Sequence, residues 1–291
     1  MSGDFPWLTV VGAIPLVGAI AVMLVPRSRP TLAKQLALLF SVATAGLAIA
    51  MATQFETGTP GFQFVEQHEW IPDFGVSYAL GVDGIALVLI ALAVILVPIV
   101  ILASWHDADP VVSAAASDRD PPPKRPVRTF FALILVLETM MVGVFAATDI
   151  FLFYVLFEAM LIPMYFLIGS YGGVRRSYAA VKFLLYSLFG GLLMLAAVIG
   201  LYVVAKDQLG AGTFDFISLA GAIQSGQLEI DPEIEKLLFA GFFIAFAIKA
   251  PLVPFHTWLP DAAAEATPGS AVLLVGVLDK VGTFGMLRYC L

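Results

Sequence analysis

Residues 80–103 read LGVDGIALVLIALAVILVPIVILA. Beyond Asp83 this run carries no charge, and it lacks the apolar–polar alternation of a strand with one wet face. About 20 mostly apolar residues are enough for a helix to cross the hydrocarbon core of a bilayer, so the run predicts a membrane span over 84–104. Seven more runs of this kind lie at 5–25, 32–53, 129–147, 149–169, 178–205, 236–258 and 269–291. The whole chain of 291 residues fits that reading, with 60% hydrophobic and only 13% charged residues. A soluble domain carries roughly 25% charge, so too little polar surface is available to coat a water-soluble body. The composition excludes a cytosolic enzyme, a secreted disulfide scaffold and a disordered chain. A net charge of −7 without a basic stripe argues against nucleic acid as a partner. The single cysteine, Cys290, cannot build a disulfide, a thiolate-held iron–sulfur cluster or a cysteine zinc site within the chain. The expected class is an all-α integral membrane protein, a polytopic helical bundle of about eight spans lying in the lipid bilayer.

Outward from the spans, the loop charges set an orientation by the positive-inside rule. Arg27, Arg29 and Lys34 follow span 1; Arg119, Lys124, Arg125 and Arg128 follow span 3; Arg175, Arg176 and Lys182 follow span 5. The alternate loops hold only Lys206 and Lys236. The N-terminus is therefore predicted outside, with loops 1, 3 and 5 cytoplasmic. The first run starts after MSGD with no basic residue ahead of it and reads as a retained span. Residues 54–83, with Phe62, Phe64 and Trp70 at alternating positions, predict a hairpin on the outer face. Residues 105–128 read as a flexible polar insert ending Pro-rich, and FDFISLAGAI within 207–233 as an interfacial amphipathic piece. The chain stops inside an apolar run at Arg288-Tyr289-Cys290-Leu291, which reads as the first part of a longer protein.

Ionisable groups at membrane depth are costly and mark function by default. Four sit near span centres: Glu138 in span 4, Glu158 in span 5, Lys249 in span 7 and Lys280 in span 8. Their similar depth predicts a buried polar layer. A structural Glu158–Lys249 ion pair is the alternative, although buried pairs add little net stability over apolar packing. Glu138 reads equally as a hydrogen-bonded structural carboxyl. Asp149, at a span boundary, reads as a helix cap. Asp279 precedes Lys280, and because neighbours on a helix do not face each other it is expected to answer a partner on another helix.

In AFAIKAPLVPFHTWLPD, residues 245–261, Pro251 and Pro254 each remove a helical donor and free the carbonyls of Ala247 and Ala250. Broken backbone at membrane depth persists only where protein or water satisfies it, and interrupted helices are where transporters build ion sites. Span 7 is thus expected to be discontinuous beside Lys249. His256, seven residues on, is a titratable candidate beside Asp261 and Glu265 near the cytoplasmic end. Pro163 similarly frees the carbonyl of Ala159. Burial disfavours an ammonium and a nearby carboxylate favours it, so movement of Glu158 relative to Lys249 would swing the amine's proton affinity and let it pass a proton to Lys280. No GxGxxG after a strand, P-loop, HExxH, CxxC or haem-type histidine pair is present, so any redox chemistry is expected on partner chains.

These residues carry a family resemblance. The stretch FALILVLETMMVGVFAATDIFLFYVLFEAMLIPMYFLIGSYGG, the following RRSYAAVKFLLYSLFGGLLML, LGVDGIALVLIAL, and AFAIKAPLVPFHTWLPDAAAEATPGSAVLLVGVLDKVGTFGMLRY resemble the subunit M family (chain 4-type, antiporter-like) of proton-translocating NADH:quinone oxidoreductase, respiratory complex I. EAMLIPMYFLIG and KAPLVPFHTWLPDA are the most specific parts. The resemblance implies that the family's proton-pathway glutamate falls on Glu158, its broken-helix lysine on Lys249, its linking lysine on Lys280 and an additional glutamate on Glu138. It implies a fold of two inverted five-helix repeats. Residues 1–128 would then be three N-terminal helices with their loops, 129–291 the first repeat, and the second repeat would lie beyond this chain. Asp279 stands where the family pattern leads one to expect an apolar residue.

The resemblance further implies a bacterial plasma-membrane subunit that moves protons while partner subunits, holding FMN, iron–sulfur clusters and quinone, oxidise NADH. Expected neighbours are other membrane-arm subunits, antiporter-like ones among them. The rival readings are a subunit of a multi-subunit Na+/H+ antiporter or membrane-bound hydrogenase, and a passive structural membrane subunit.

Overall fold

The apolar runs become helices whose two sides are both greasy, for different partners. A computed structural model of the chain describes residues 5–109, 123 and 125–291. In helix α3 (Gly84–Ala103), Ile85, Val88, Leu92, Ile95, Ile99 and Leu102 form an exposed stripe. Ile90, Ala93, Val94, Val97 and Ile101 of the same helix are fully buried. In water the outward stripe would be an aggregation face; in lipid it is the solvated one. Seven segments are long and apolar enough to span a bilayer, and the chain is a multi-pass membrane protein.

Helices α1 (Trp7–Leu24) and α2 (Pro30–Ala52) precede α3. Helix α4 (Val127–Ala146) is the central one, packing on α1, α2 and α3 and on the span that follows. That span is split into α5 (Ile150–Ala159) and α6 (Leu161–Tyr171) at Met160, three residues ahead of Pro163. Helix α7 (Arg176–Leu209) ends on Gly210, whose φ of 78° suits the left-handed cap. The amphipathic piece forms α8 (Phe216–Gln224). Then come α9 (Pro232–Lys249), α10 (Trp258–Glu265) and a last span made of α11 (Pro268–Leu273), a π turn over Leu274–Leu278, and α12 (Asp279–Tyr289). The predicted span 236–258 is interrupted beside Lys249 as expected: its helix stops there, and 250–257 contains only the 3-10 turn Phe255–Thr257. The predicted flexible insert falls largely outside the described residues, as do Arg119 and Lys124.

The expected hairpin is present as antiparallel β1 (Gln63–Ile71) and β2 (Val76–Val82), irregular at Gln63/Glu66 and Glu69/Ile71. It is welded to the bundle. The short link between α4 and α5 runs as a strand between β2 and the segment before α8: Thr148 N donates to Ala79 O (3.0 Å), Ile150 N to Phe214 O (2.8 Å) and Phe216 N to Thr148 O (2.9 Å). Glu66 of the hairpin accepts from the Leu8 amide (2.7 Å) and from the Thr9 hydroxyl, closing the start of α1. Arg288 at the end of α12 reaches Asp83 (3.0 Å) and lies over Phe62 (4.7 Å) and Phe284 (4.9 Å). Every loop on this end is tied to at least two helices, which fixes the ends of the spans that carry the buried charges.

Candidate functional site

Lys249 is the last residue of α9, and the break that follows is built from satisfied backbone. Ala250 N still donates to Phe246 O (2.7 Å), but Leu252 N takes Ala247 O (2.8 Å), Phe255 N takes Leu252 O (2.6 Å), and the Trp258 indole donates to Ile248 O (2.8 Å). Pro251 and Pro254 therefore cost little here: the carbonyl of Ala247, orphaned in a straight helix, has a partner five residues on. Buried polar backbone must be paired somewhere, and this turn pairs it locally.

The lysine itself is another matter. It is 1% exposed, and its Nζ makes no hydrogen bond. It lies over the Phe157 ring at 4.7 Å, next in sequence to Glu158. Glu158 points at α7: a Cβ on Gly191 would overlap its carboxyl group. One residue earlier, Gly190 lets α7 close on Ala245 and Ile248 of α9. The glycine pair thus opens a window through which the α5 carboxylate shares space with the helix beside Lys249. Glu158 and Lys249 interact electrostatically, and Glu158 Oε1 is buried with no hydrogen-bond partner. Burial of an ion is tolerated when a counter-charge is near, and here the pair meets that condition without a fixed hydrogen bond.

The remaining predicted residues are placed differently from one another. Glu138 on α4 is 0% exposed, and neither carboxyl oxygen has a partner. Asp279 is 8% exposed, with a buried Oδ1 lacking a partner, and it interacts with Lys249 on α9. Lys280 does not join the buried layer expected for it. Its side chain is exposed, donates to Val275 O at 3.4 Å, and lines a groove of about 350 Å³ with Ile85 and Val88 of α3. The reason is helical geometry: consecutive residues are about 100° apart, so with Asp279 inward Lys280 turns away. His256 is likewise corrected. It sits in the 3-10 turn, where the seven-residue spacing to Lys249 loses its meaning, and its buried Nδ1 has no partner. The acids expected beside it are already engaged: Asp261 with Lys182 (2.7 Å), and Glu265 with the Arg175 amide (2.8 Å) and guanidinium (3.5 Å).

Asp149 caps α5 as expected, accepting from Leu152 N and from Ser77 N of the hairpin, both at 2.9 Å. Burial pushes its carboxyl above the usual range, and backbone donors pull it back. Sequence reading missed the Gly190–Gly191 window, Phe157 beneath the amine and the π turn. Adjacent glycines in an apolar helix are a known sign of close helix approach and could have revealed the first. Among the described residues no three His, Cys, Asp or Glu side chains gather as a metal site.

Comparison with known proteins gives these features a family. Residues 147–291 match the family described as NADH:quinone oxidoreductase/Mrp antiporter, TM. The chain is 53% identical over 303 aligned residues to the NADH-quinone oxidoreductase subunit M of Mycobacterium tuberculosis, covering 99% of this chain and 55% of that one. It superposes on a chain of respiratory complex I from Thermus thermophilus with a TM-score of 0.77 and 30% identity, covering 97% of this chain and 52% of that one. A chain of the Mrp complex from Dietzia sp. shares the fold, with a TM-score of 0.74 at 22% identity, covering 97% of this chain and 28% of that one. The chain spans about half the length of the curated relatives it matches. It belongs to the NADH:quinone oxidoreductase/Mrp antiporter transmembrane family, among the members related to subunit M.

Proposed function

We propose that the chain works as a proton-translocating membrane-arm subunit of an NADH:quinone oxidoreductase in the bacterial plasma membrane. Protons pass by way of Glu158, Lys249 and Lys280, with Glu138, His256 and Asp279 as secondary candidates. NADH oxidation and quinone reduction take place on partner subunits that hold FMN and iron–sulfur clusters. The observation that carries this reading is Lys249: an amine buried at the end of an interrupted helix, without a hydrogen bond, beside a carboxylate that also lacks one. A merely structural lysine would be expected to have its donors satisfied. Its companions here are a ring face and the carboxylates of Glu158 and Asp279, so the group can be neutral or charged according to where Glu158 lies. The N-terminus and the hairpin lie outside, a reading supported by the basic residues after spans 1, 3 and 5. Residues 129–291 form the first of the two repeats.

The test is replacement of Lys249 by Ala in the full-length subunit within its complex, measured in inverted membrane vesicles as protons taken up per NADH oxidised. The share of proton movement belonging to this subunit should disappear. An unchanged ratio would contradict the reading and favour a passive spacer. Co-purification of flavin and iron–sulfur subunits, with NADH-dependent quinone reduction, distinguishes this assignment from a cation/proton antiporter.

A further inference from the structure

Asp279 is a secondary candidate whose step in the pathway is so far unassigned, and the packing of α12 on α9 shows where it stands. Tyr289 stacks on Phe242 and Phe246, with centroids 5.8 and 6.1 Å apart. One turn earlier a Cβ on Gly285 would run into the Phe246 ring, and one more turn back a Cβ on Gly282 would lie 2.6 Å from the Ala250 amide nitrogen. The contact thus climbs α9 from Phe242 to Ala250 as it descends α12 from Tyr289 to Gly282, and the next position on that face of α12 is Asp279. It therefore arrives abreast of Lys249 and the start of the break, on the side of the amine that α12 covers. Glu158 reaches the amine from the α5 and α7 side.

The π turn over Leu274–Leu278 ends at Asp279. One added residue rotates the helix that follows by about 100° relative to an unbroken one, and that rotation turns Asp279 toward α9 and Lys280 out of it. Lys280 reaches back over the same turn to Val275 O. Asp279 interacts with both Lys249 and Lys280. It is a carboxylate set between two amines that lie on opposite sides of α12, which is what a proton crossing that helix requires.

Resting on the functional reading above, we propose that Asp279 is the way-station through which a proton passes from Lys249 to Lys280. The Lys249 ammonium gives its proton to the Asp279 carboxylate, leaving a neutral amine and a carboxylic acid. The acid then gives that proton to the neutral amine of Lys280, restoring the carboxylate and leaving an ammonium on the far side of α12. No electron moves and no bond other than N–H and O–H changes.

The test uses the full-length subunit in its complex, in inverted vesicles, with flavin content as the measure of assembled complex. Asp279→Asn keeps the side-chain shape and removes the proton carrier; Asp279→Ser does so in a smaller volume and serves where the amide variant does not assemble. Either is expected to lower the protons moved per NADH to the Lys249→Ala value, and Asp279→Glu to restore the ratio toward wild type. Restoration by Glu is a readout that a purely structural role in α12 packing would not give. A wild-type ratio in Asp279→Asn or Asp279→Ser, with Lys249→Ala still depressed, overturns the way-station and leaves the functional reading standing. A wild-type ratio in Lys249→Ala as well overturns both.

Discussion

Asp149 and Glu158 sit at the two ends of α5, the first a buried carboxylate and the second a part-buried one whose Oε1 is shielded from solvent. Asp149 lies at the junction of α4 and α5, where the α5 N-terminus and the hairpin give its oxygens backbone donors at 2.9 Å. Glu158 lies at membrane depth against a pair of glycines, with a lysine nearby and no hydrogen bond to Oε1. The same functional group is thus locked in one place and left loose in the other. An acid fully engaged by backbone amides is part of the scaffold, because losing it strands those donors. An acid whose only partner is a charge across a glycine window can move without breaking anything, which is the condition for exchanging protons.

The comparison can be broken from either end. Replacing Glu158 by Gln should slow the proton step it serves by about 100-fold, the usual contribution of a positioned acid or base. The unfolding midpoint of the purified protein should stay at the wild-type value; a large fall in that midpoint with pumping intact would reverse the assignment. Asp149→Ala should show the opposite pattern. Stranding the backbone donors of the cap and hairpin costs about 3 kcal/mol, read as a lower unfolding midpoint, while protons moved per NADH by the complex that does assemble remain unchanged. Gly191→Ala sharpens the window itself. Alanine is favoured over glycine in a helix by about 1 kcal/mol, so the variant should lose little stability, yet its methyl displaces the Glu158 carboxyl and should cut proton transfer about tenfold.

The smallest effect concerns Asp107, at the opposite end of the molecule from Asp149. Burial raises its carboxyl, and the nearby Ser104 hydroxyl and Gly269 amide offset part of that rise. The folded state therefore keeps a proton to higher pH than the unfolded chain does. Stability should decline as pH climbs from the ordinary carboxylate range through the raised value, and level off above it. Asp107→Asn should flatten that slope in unfolding midpoints measured across acidic pH; an unaltered slope would show that another group controls it.

Much of this arrangement was legible in the amino-acid sequence because it depends on local rules. Continuous apolar runs gave the spans, prolines beside Lys249 gave the interruption, alternating aromatics gave the hairpin, and an aspartate ahead of Ile150 gave the cap. What escaped was register. A seven-residue spacing from Lys249 to His256 means a shared face only while the helix continues, and it ends at Lys249. The depth of Lys280 was legible but its direction was not, because the π turn adds a residue that no periodicity of 3.6 contains. That Glu158 answers Lys249 was legible, but the route by which it does so depends on two glycines of a third helix, a tertiary fact that spacing within one span cannot carry.

The central claim is that the Lys249 amine changes its charge during turnover. Nitrogen-15 NMR of lysine-labelled complex in membranes, with the Lys249 signal assigned by its loss in Lys249→Arg, reads that charge directly. The account predicts both ammonium and neutral-amine signals for Lys249, with populations that differ between resting and NADH-energised samples. A single ammonium signal in every state would contradict it.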